Sequence, residues 1–177
     1  METRRIGTTG LSVDVLGFGC ASLGNLYHAI SDTEAARIIS AAWSNGFRYF
    51  DTAPHYGQGL SERRVGDALR HSQGKDYVLS TKVGRLLKPS GYADSRHGFL
   101  SPMPFDIVYD YSYDGVMRSF EDSLQRLGLD RIDILYMHDI GAMTHGEDND
   151  RLFAIAMDGG YRAMLELRRD GRVSAIG

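Results

Sequence analysis

The feature that most constrains this chain is the regular alternation of short apolar runs with amphipathic stretches of helical period. Four helices can be placed by period and caps. Ser31 and Glu34 form a capping box, Ala35, Ile38, Ile39 and Ala42 follow at helical spacing, and Gly46 stands at the C′ position. A shorter helix opens at Ser61 and carries Val65, Ala68 and Leu69 on one side. A third runs from about Asp114, striped by Val116, Phe120, Leu124 and Leu127 and stopped by Gly128. A fourth covers roughly Gly160 to Asp170 and ends at Gly171.

The apolar runs between them read as buried strands: Val15–Phe18, Arg48–Asp51, Tyr77–Ser80 and Ile132–Met137, with Val173–Ile176 opening a fifth. Residues 1–13 hold a small hairpin, in which Arg4–Ile6 and Leu11–Val13 flank the turn Gly7-Thr8-Thr9-Gly10. Strands alternating with helices imply an α/β fold with parallel pairing and right-handed crossovers. That leaves an open doubly wound sheet or a barrel. The connections Gly84–Tyr113 and Asp139–Asp158 are too long to be joints, and both follow strand C-termini. The asymmetry favours a (β/α)8 TIM barrel, whose working loops sit on that face.

Composition removes several functional classes. A chain of 177 residues, 42% of them hydrophobic, can build one domain with a real core. Its formal charge is −3 and its 20 Lys and Arg form no basic run, which argues against nucleic acid or anionic lipid as a partner. Cys20 is the single cysteine, so no internal disulfide can form, as suits a reducing, cytoplasmic compartment. Met1–Arg5 is followed by no apolar h-region, and no apolar run approaches the roughly 20 residues that span a bilayer.

Polar residues stand at the C-terminal ends of three successive strands: Asp51 ends the second, Lys82 follows the third, and His138 ends the fourth. Tyr56 lies in the loop Thr52-Ala53-Pro54-His55-Tyr56-Gly57. In a parallel barrel these ends converge on one mouth. Taken singly, a loop tyrosine is more often packing, a lysine after a strand more often solvated, and a strand-end histidine more often structural. Together they answer one another's needs. A buried lysine needs a counter-charge, which Asp51 supplies. A tyrosine with its usual pKa near ~10 exchanges protons poorly at neutral pH, and a neighbouring ammonium favours its phenolate. His138 can then orient a substrate oxygen.

These residues also resemble a family. Gly46–Gly57 with Leu60-Ser61-Glu62 and Gly66–Leu69, then Ser80–Gly84, Ser123–Asp130 with Ile132-Asp133, and Tyr136-Met137-His138 resemble the aldo-keto reductase signature in order along nearly the whole chain. The resemblance implies that Asp51, Tyr56, Lys82 and His138 form a catalytic tetrad with Tyr56 as general acid–base. It also implies NADP or NAD bound across the barrel mouth without a Rossmann domain, hydride passing to or from a small-molecule carbonyl or sugar. Gly24–Tyr27, Gly84–Leu87, Tyr109–Val116 and His138–Gly141 are similar to the branch holding D-threo-aldose 1-dehydrogenase, L-fucose dehydrogenase and pyridoxal 4-dehydrogenase. Those enzymes mainly oxidise a cyclic hemiacetal to a lactone. The resemblance puts Gly19, Cys20 and Asp51 beside the cofactor. Asn25, Tyr27, His55 and Asp139 are the candidate hydrogen-bonding residues for a polyol, while the tyrosines at 109 to 113 read as lid packing.

Other signals are weaker. Gly17-Phe18-Gly19 with Gly24 has the wrong third glycine and opens no helix, so it is not a dinucleotide fingerprint. His55, His138, His145 and Asp139 lack H-x-H or H-E-x-x-H spacing, and Lys82 would repel a cation, so no metal site is expected. The chain stops inside the fifth strand, whereas a whole barrel takes about 250 residues. The expectation is therefore an N-terminal half-barrel spanning residues 1–177, part of an active enzyme, whose raw edges favour self-association. The competing expectation is a truncated, non-catalytic half-barrel that self-associates or acts as a regulatory binding subunit.

Overall fold

A computed structural model describes residues 1–71 and 76–177. The chain opens with the hairpin of β1 (Thr3–Arg5) and β2 (Ser12–Asp14), paired antiparallel with Arg4 opposite Val13. Five short strands then form a parallel sheet in simple sequence order: β3 (Phe18–Gly19), β4 (Tyr49–Asp51), β5 (Val78–Val83), β10 (Ile134–Met137) and β11 (Ala175–Ile176). The order never reverses, so the doubly wound alternative, which requires a reversal, does not apply. The sheet is open, with β3 and β11 as its outer strands.

Helices α1 (Asp32–Ser44), α2 (Leu60–Leu69), α3 (Tyr113–Leu127) and α6 (Tyr161–Arg169) follow successive strands, and each packs on the next. The side-chain period of two sorts the sheet into two chemical faces. Phe50, Leu79, Val83 and Leu135 are buried in the core with Val65, Phe120 and Leu167 of the helices. Each such side chain contributes about 1.5–3 kcal/mol. The alternate positions, Tyr49 and Asp51 on β4, Ser80 and Lys82 on β5, and Tyr136 on β10, share the opposite face and bond across strands. The strand-end polar residues thus gather on one side of the sheet, while Thr81 on the helix side bonds buried Glu62 of α2.

The helix ends follow local sequence. Ser31 and Ser112 cap α1 and α3 by accepting from the amides of Glu34 and Gly115, each at 3.1 Å. Ile38, expected on the buried stripe of α1, lies on its exposed flank instead. The first strand also sits later than its apolar run predicts. Val15 and Leu16 are 48% and 58% exposed, and the ladder starts only at Phe18, opposite Phe50. The Asp14 carboxylate accepts the Arg48 amide at 2.7 Å, which ties the hairpin to the approach to β4 and leaves Val15 and Leu16 as a connector.

Both long connections are structured. Residues 85–109 fold into antiparallel pairs, β6 (Arg85–Pro89) with β9 (Phe105–Tyr109) and β7 (Ser95–Arg96) with β8 (Phe99–Leu100). This hairpin layer is tied to the strand-end loops by Tyr27 N to Gly98 O, Leu100 N to Asn25 O and Met103 N to Gly57 O, at 3.0–3.1 Å. The 139–158 stretch, expected as a loop, is mostly helical: α4 (Ala142–His145), a 3-10 turn, α5 (Asn149–Ile155) and a π turn over Ala156–Gly160 that runs into α6. The widened turn accommodates close backbone packing, since a Cβ on Gly160 would lie 2.5 Å from Tyr111 O.

Helices α2 and α3 meet at Gly66, where an added Cβ would lie 1.8 Å from the Leu127 carbonyl oxygen. The obstacle is backbone, so it cannot swing aside. Gly66→Ala should cost about 3 kcal/mol or more in urea unfolding, at the upper end of overpacking penalties. An unchanged midpoint would disprove this close approach.

Candidate active site

The ends of β3, β4, β5 and β10 build the site, and main-chain bonds continue the ladder past the strands to fix them. Cys20 N donates to Asp51 O at 2.8 Å, Thr52 N to Ser80 O at 2.9 Å, and His138 N to Val83 O at 3.1 Å. Asp51 lies opposite Ser80, and Lys82 opposite Tyr136. This register brings the Lys82 ammonium to 2.7 Å from Asp51 Oδ2 and 2.9 Å from the Thr52 carbonyl oxygen. Ser80 Oγ donates to the other carboxylate oxygen at 2.6 Å, so Asp51 is held from two sides.

Tyr56 is placed by its loop. Its amide donates to Ala53 O, and its carbonyl accepts from the Ser61 amide at the start of α2, both at 3.1 Å. The loop rests backbone on backbone against the turn Ala21–Gly24: a Cβ on Gly24 would lie 2.5 Å from the Tyr56 carbonyl carbon. Gly57, at φ +64, would meet Gly24 O in the same way. The Tyr56 ring then lies 4.8 Å from the Lys82 ammonium, in cation–π range. The His138 ring stands at 5.9 Å and 88° to it. The four tetrad candidates are therefore brought together.

His138 is buried, and burial, reinforced by the charges of Arg85 and Lys82, pushes its pKa well below the ordinary histidine range. His55 lies 5.7 Å from it, ring to ring, against Phe99 at 5.2 Å and His97 at 5.8 Å. Burial first, then the Arg85 charge, brings His55 down to about 4. Both imidazoles are neutral at neutral pH. Asp139 accepts from buried Arg85 at 2.7 Å and approaches His138 Nε2 at 3.5 Å.

The other sequence-derived candidates divide. Gly19 ends the outer strand β3 with exposed backbone and open space where a Cβ would stand. Cys20 is completely buried, with its thiol pKa driven up chiefly by desolvation, and offers a ligand no surface. Asn25 is also buried, its amide occupied inside the fold. Its Nδ2 donates to Leu100 O at 3.0 Å, while Oδ1 accepts from Ile30 N at 3.2 Å and from Arg64 at 2.8 Å. Tyr27 stands at the rim, 82% exposed. Tyr111 is more than lid packing, since its hydroxyl meets His145 Nε2 at 2.8 Å and donates to His138 O at 3.3 Å.

Sequence reasoning missed Ser80, Arg85, Glu62 and the His97–Asp106 pair (3.0 Å). Buried Glu62 accepts from Thr81 Oγ1 at 2.7 Å and Arg126 Nε at 2.5 Å, joining α2 to β5 and α3. A signal existed for Arg85: a charge inside the apolar run Val83–Leu87 requires a buried partner. His97 and Asp106 are nine residues apart on the lid, with no pattern to connect them.

The chain is similar to known proteins. A sequence profile described as the aldo/keto reductase family matches residues 15–177. The chain is 45% identical to the pyridoxal 4-dehydrogenase of Microbacterium luteolum, covering 99% of this chain and 54% of that protein. It is 42% identical to the D-threo-aldose 1-dehydrogenase of a Pseudomonas species, covering 95% and 50%. Among solved structures, the holo form of an aldo-keto reductase from Bacillus halodurans superposes with a TM-score of 0.71 at 32% identity, covering 100% of this chain and 50% of that one. The chain spans about half the length of the curated relatives it matches.

The low affinity of His55 for protons links stability to pH. Between about 4 and 6.5 the unfolded chain binds a proton that the folded site refuses, so stability rises with pH through that window and falls on acidification. Urea midpoints measured across it should vary less steeply in His55→Gln than in the unmodified chain. Parallel curves would remove His55 as a source of the dependence.

Proposed function

The chain belongs to the aldo/keto reductase family, and from that premise we propose that it is the first half of a (β/α)8-barrel oxidoreductase. In this reading residues 1–177 are one part of a single barrel domain, with the hairpin of residues 1–13 at its start. The enzyme oxidises an aldose of the L-fucose or D-arabinose type, or pyridoxal in its hemiacetal form, to a lactone. The observation that carries the reading is the Lys82 ammonium at 2.7 Å from the Asp51 carboxylate and 4.8 Å from the centre of the Tyr56 ring, with the His138 ring 5.9 Å from that ring. Burying a cation on a sheet face is costly. Here it stands beside Tyr56, a group that can exchange a proton with a substrate oxygen.

A nicotinamide cofactor, NAD or NADP, supplies or accepts the hydride when bound. The exposed end of β3 fits a flat ring, because Gly19 presents backbone with no side chain in the way, beside the end of β4 at Asp51. In the oxidative direction Tyr56 Oη accepts the proton of the anomeric hydroxyl as hydride leaves C1. In reduction the same oxygen returns the proton. Lys82 stabilises the phenolate, Asp51 and Thr52 hold Lys82, and Ser80 holds Asp51. His138 donates to the substrate oxygen and orients it. His55, Tyr27 and Asp139 face the rest of the substrate from the rim.

The test is steady-state oxidation of L-fucose, D-arabinose and pyridoxal by the full-length enzyme with NAD and with NADP. Tyr56→Phe should lower kcat at least ~10²-fold, the usual contribution of a positioned proton donor, while the fold is retained by circular dichroism. Near-normal turnover in that variant would remove Tyr56 from its role, and no oxidation of any of the three would refute the substrate class.

A further inference from the structure

Arg85 begins β6, two residues beyond the end of the tetrad strand, and its side chain is only 4% exposed. It donates to Asp139 Oδ2 at 2.7 Å, and that same oxygen stands 3.5 Å from His138 Nε2. We propose that Arg85 is a positioning residue that clamps the Asp139 carboxylate and thereby keeps His138 neutral, with its proton on Nε2. The proposal rests on the reading of His138 as the residue that orients the substrate oxygen.

A carboxylate this close to an imidazole ordinarily stabilises the imidazolium. At this site the carboxylate is already engaged by a guanidinium, and the two charges are not equally effective. The Asp139 side chain is 59% exposed and water screens it, whereas Arg85 is buried and is not screened. The cation therefore dominates the field at His138. Asp139 holds this position at φ +44, a left-handed conformation that aspartate tolerates better than most residues.

Of the remaining groups facing His138, Lys82 from β5 and His55 from the loop after β4 act in the same direction, and the Tyr56 ring of that loop stands at 88° to the imidazole. From the segment after β9, the Tyr111 hydroxyl reaches the His138 carbonyl at 3.3 Å and bonds no ring nitrogen of His138. His138 Nδ1 is buried and has no hydrogen-bond partner among the described residues. A proton there would be an orphaned buried donor, so the neutral ring carries its proton on Nε2. Arg85 in this way leaves a neutral donor at the substrate oxygen and keeps a second titrating cation from forming beside Lys82.

The test is a pH titration of the 15N-histidine-labelled chain, reading the tautomer and pKa of His138 from its ring nitrogen shifts. The unmodified chain should show a proton on Nε2 and no protonation down to about pH 5, well under the ordinary histidine value. Arg85→Met should raise the His138 pKa by about one to three units, the effect of an unopposed neighbouring carboxylate. Adding Asp139→Asn should reverse that rise, a rescue that a purely structural role for Arg85 would not produce. Should Arg85→Met fold poorly, the double variant leaves no lone carboxylate beside His138, and the tautomer of the unmodified chain is decisive by itself. A proton on Nδ1, an unchanged pKa in folded Arg85→Met, or no reversal in the double variant would overturn the proposal. None of these readings depends on turnover, so a failure of the oxidoreductase assignment would be seen separately.

Discussion

A lysine ammonium on the inner face of a sheet is tolerated only where acceptors are waiting, and this requirement organises the strand ends around Lys82. Asp51 reaches it only because β4 and β5 pair with Asp51 opposite Ser80. Slipping that register by one residue would send the carboxylate to the helix-facing side and leave the cation alone. The same register puts Phe50 and Leu79 into the core beneath the helices. One pairing therefore serves both the hydrophobic layer and the charged site, and neither can move without the other.

The loops extend this arrangement outward. Gly24 and Gly57 allow two backbones to touch, which sets Tyr56 against Lys82. The hairpin layer of residues 85–109 contributes Arg85 and Phe99 to the mouth, and Tyr111, just beyond β9, reaches beneath it. The histidines are neutral in this setting for a shared reason. They are desolvated, and the Arg85 charge opposes a further cation at both, joined at His138 by Lys82.

Much of this was legible in the sequence because strand-end chemistry follows from period and order alone. The cap at Ser31, the stop at Gly128, the parallel strands and the grouping of Asp51, Tyr56, Lys82 and His138 needed no tertiary information, whereas the Ser112 cap emerged only from the fold. Other features depended on contacts that no local pattern records. Val15 and Leu16 look like a strand but serve as a connector, because pairing with β4 begins only at Phe18. Residues 139–158 read as a connection, yet they are mostly helical, and a widened turn over Ala156–Gly160 packs Gly159 and Gly160 on residues 111–113. Asn25 has the chemistry of a sugar ligand, but buried Arg64 and the lid backbone occupy its amide.

In the proposed mechanism Tyr56 and His138 converge on one substrate oxygen. A crystal structure of the full-length protein with oxidised cofactor and an unreactive sugar analogue would show whether they do. The analogue's anomeric oxygen should lie within about 2.6–3.2 Å of both Tyr56 Oη and His138 Nε2. An oxygen that met neither atom, with the sugar seated instead against Arg85 or the outer rim, would contradict the mechanism.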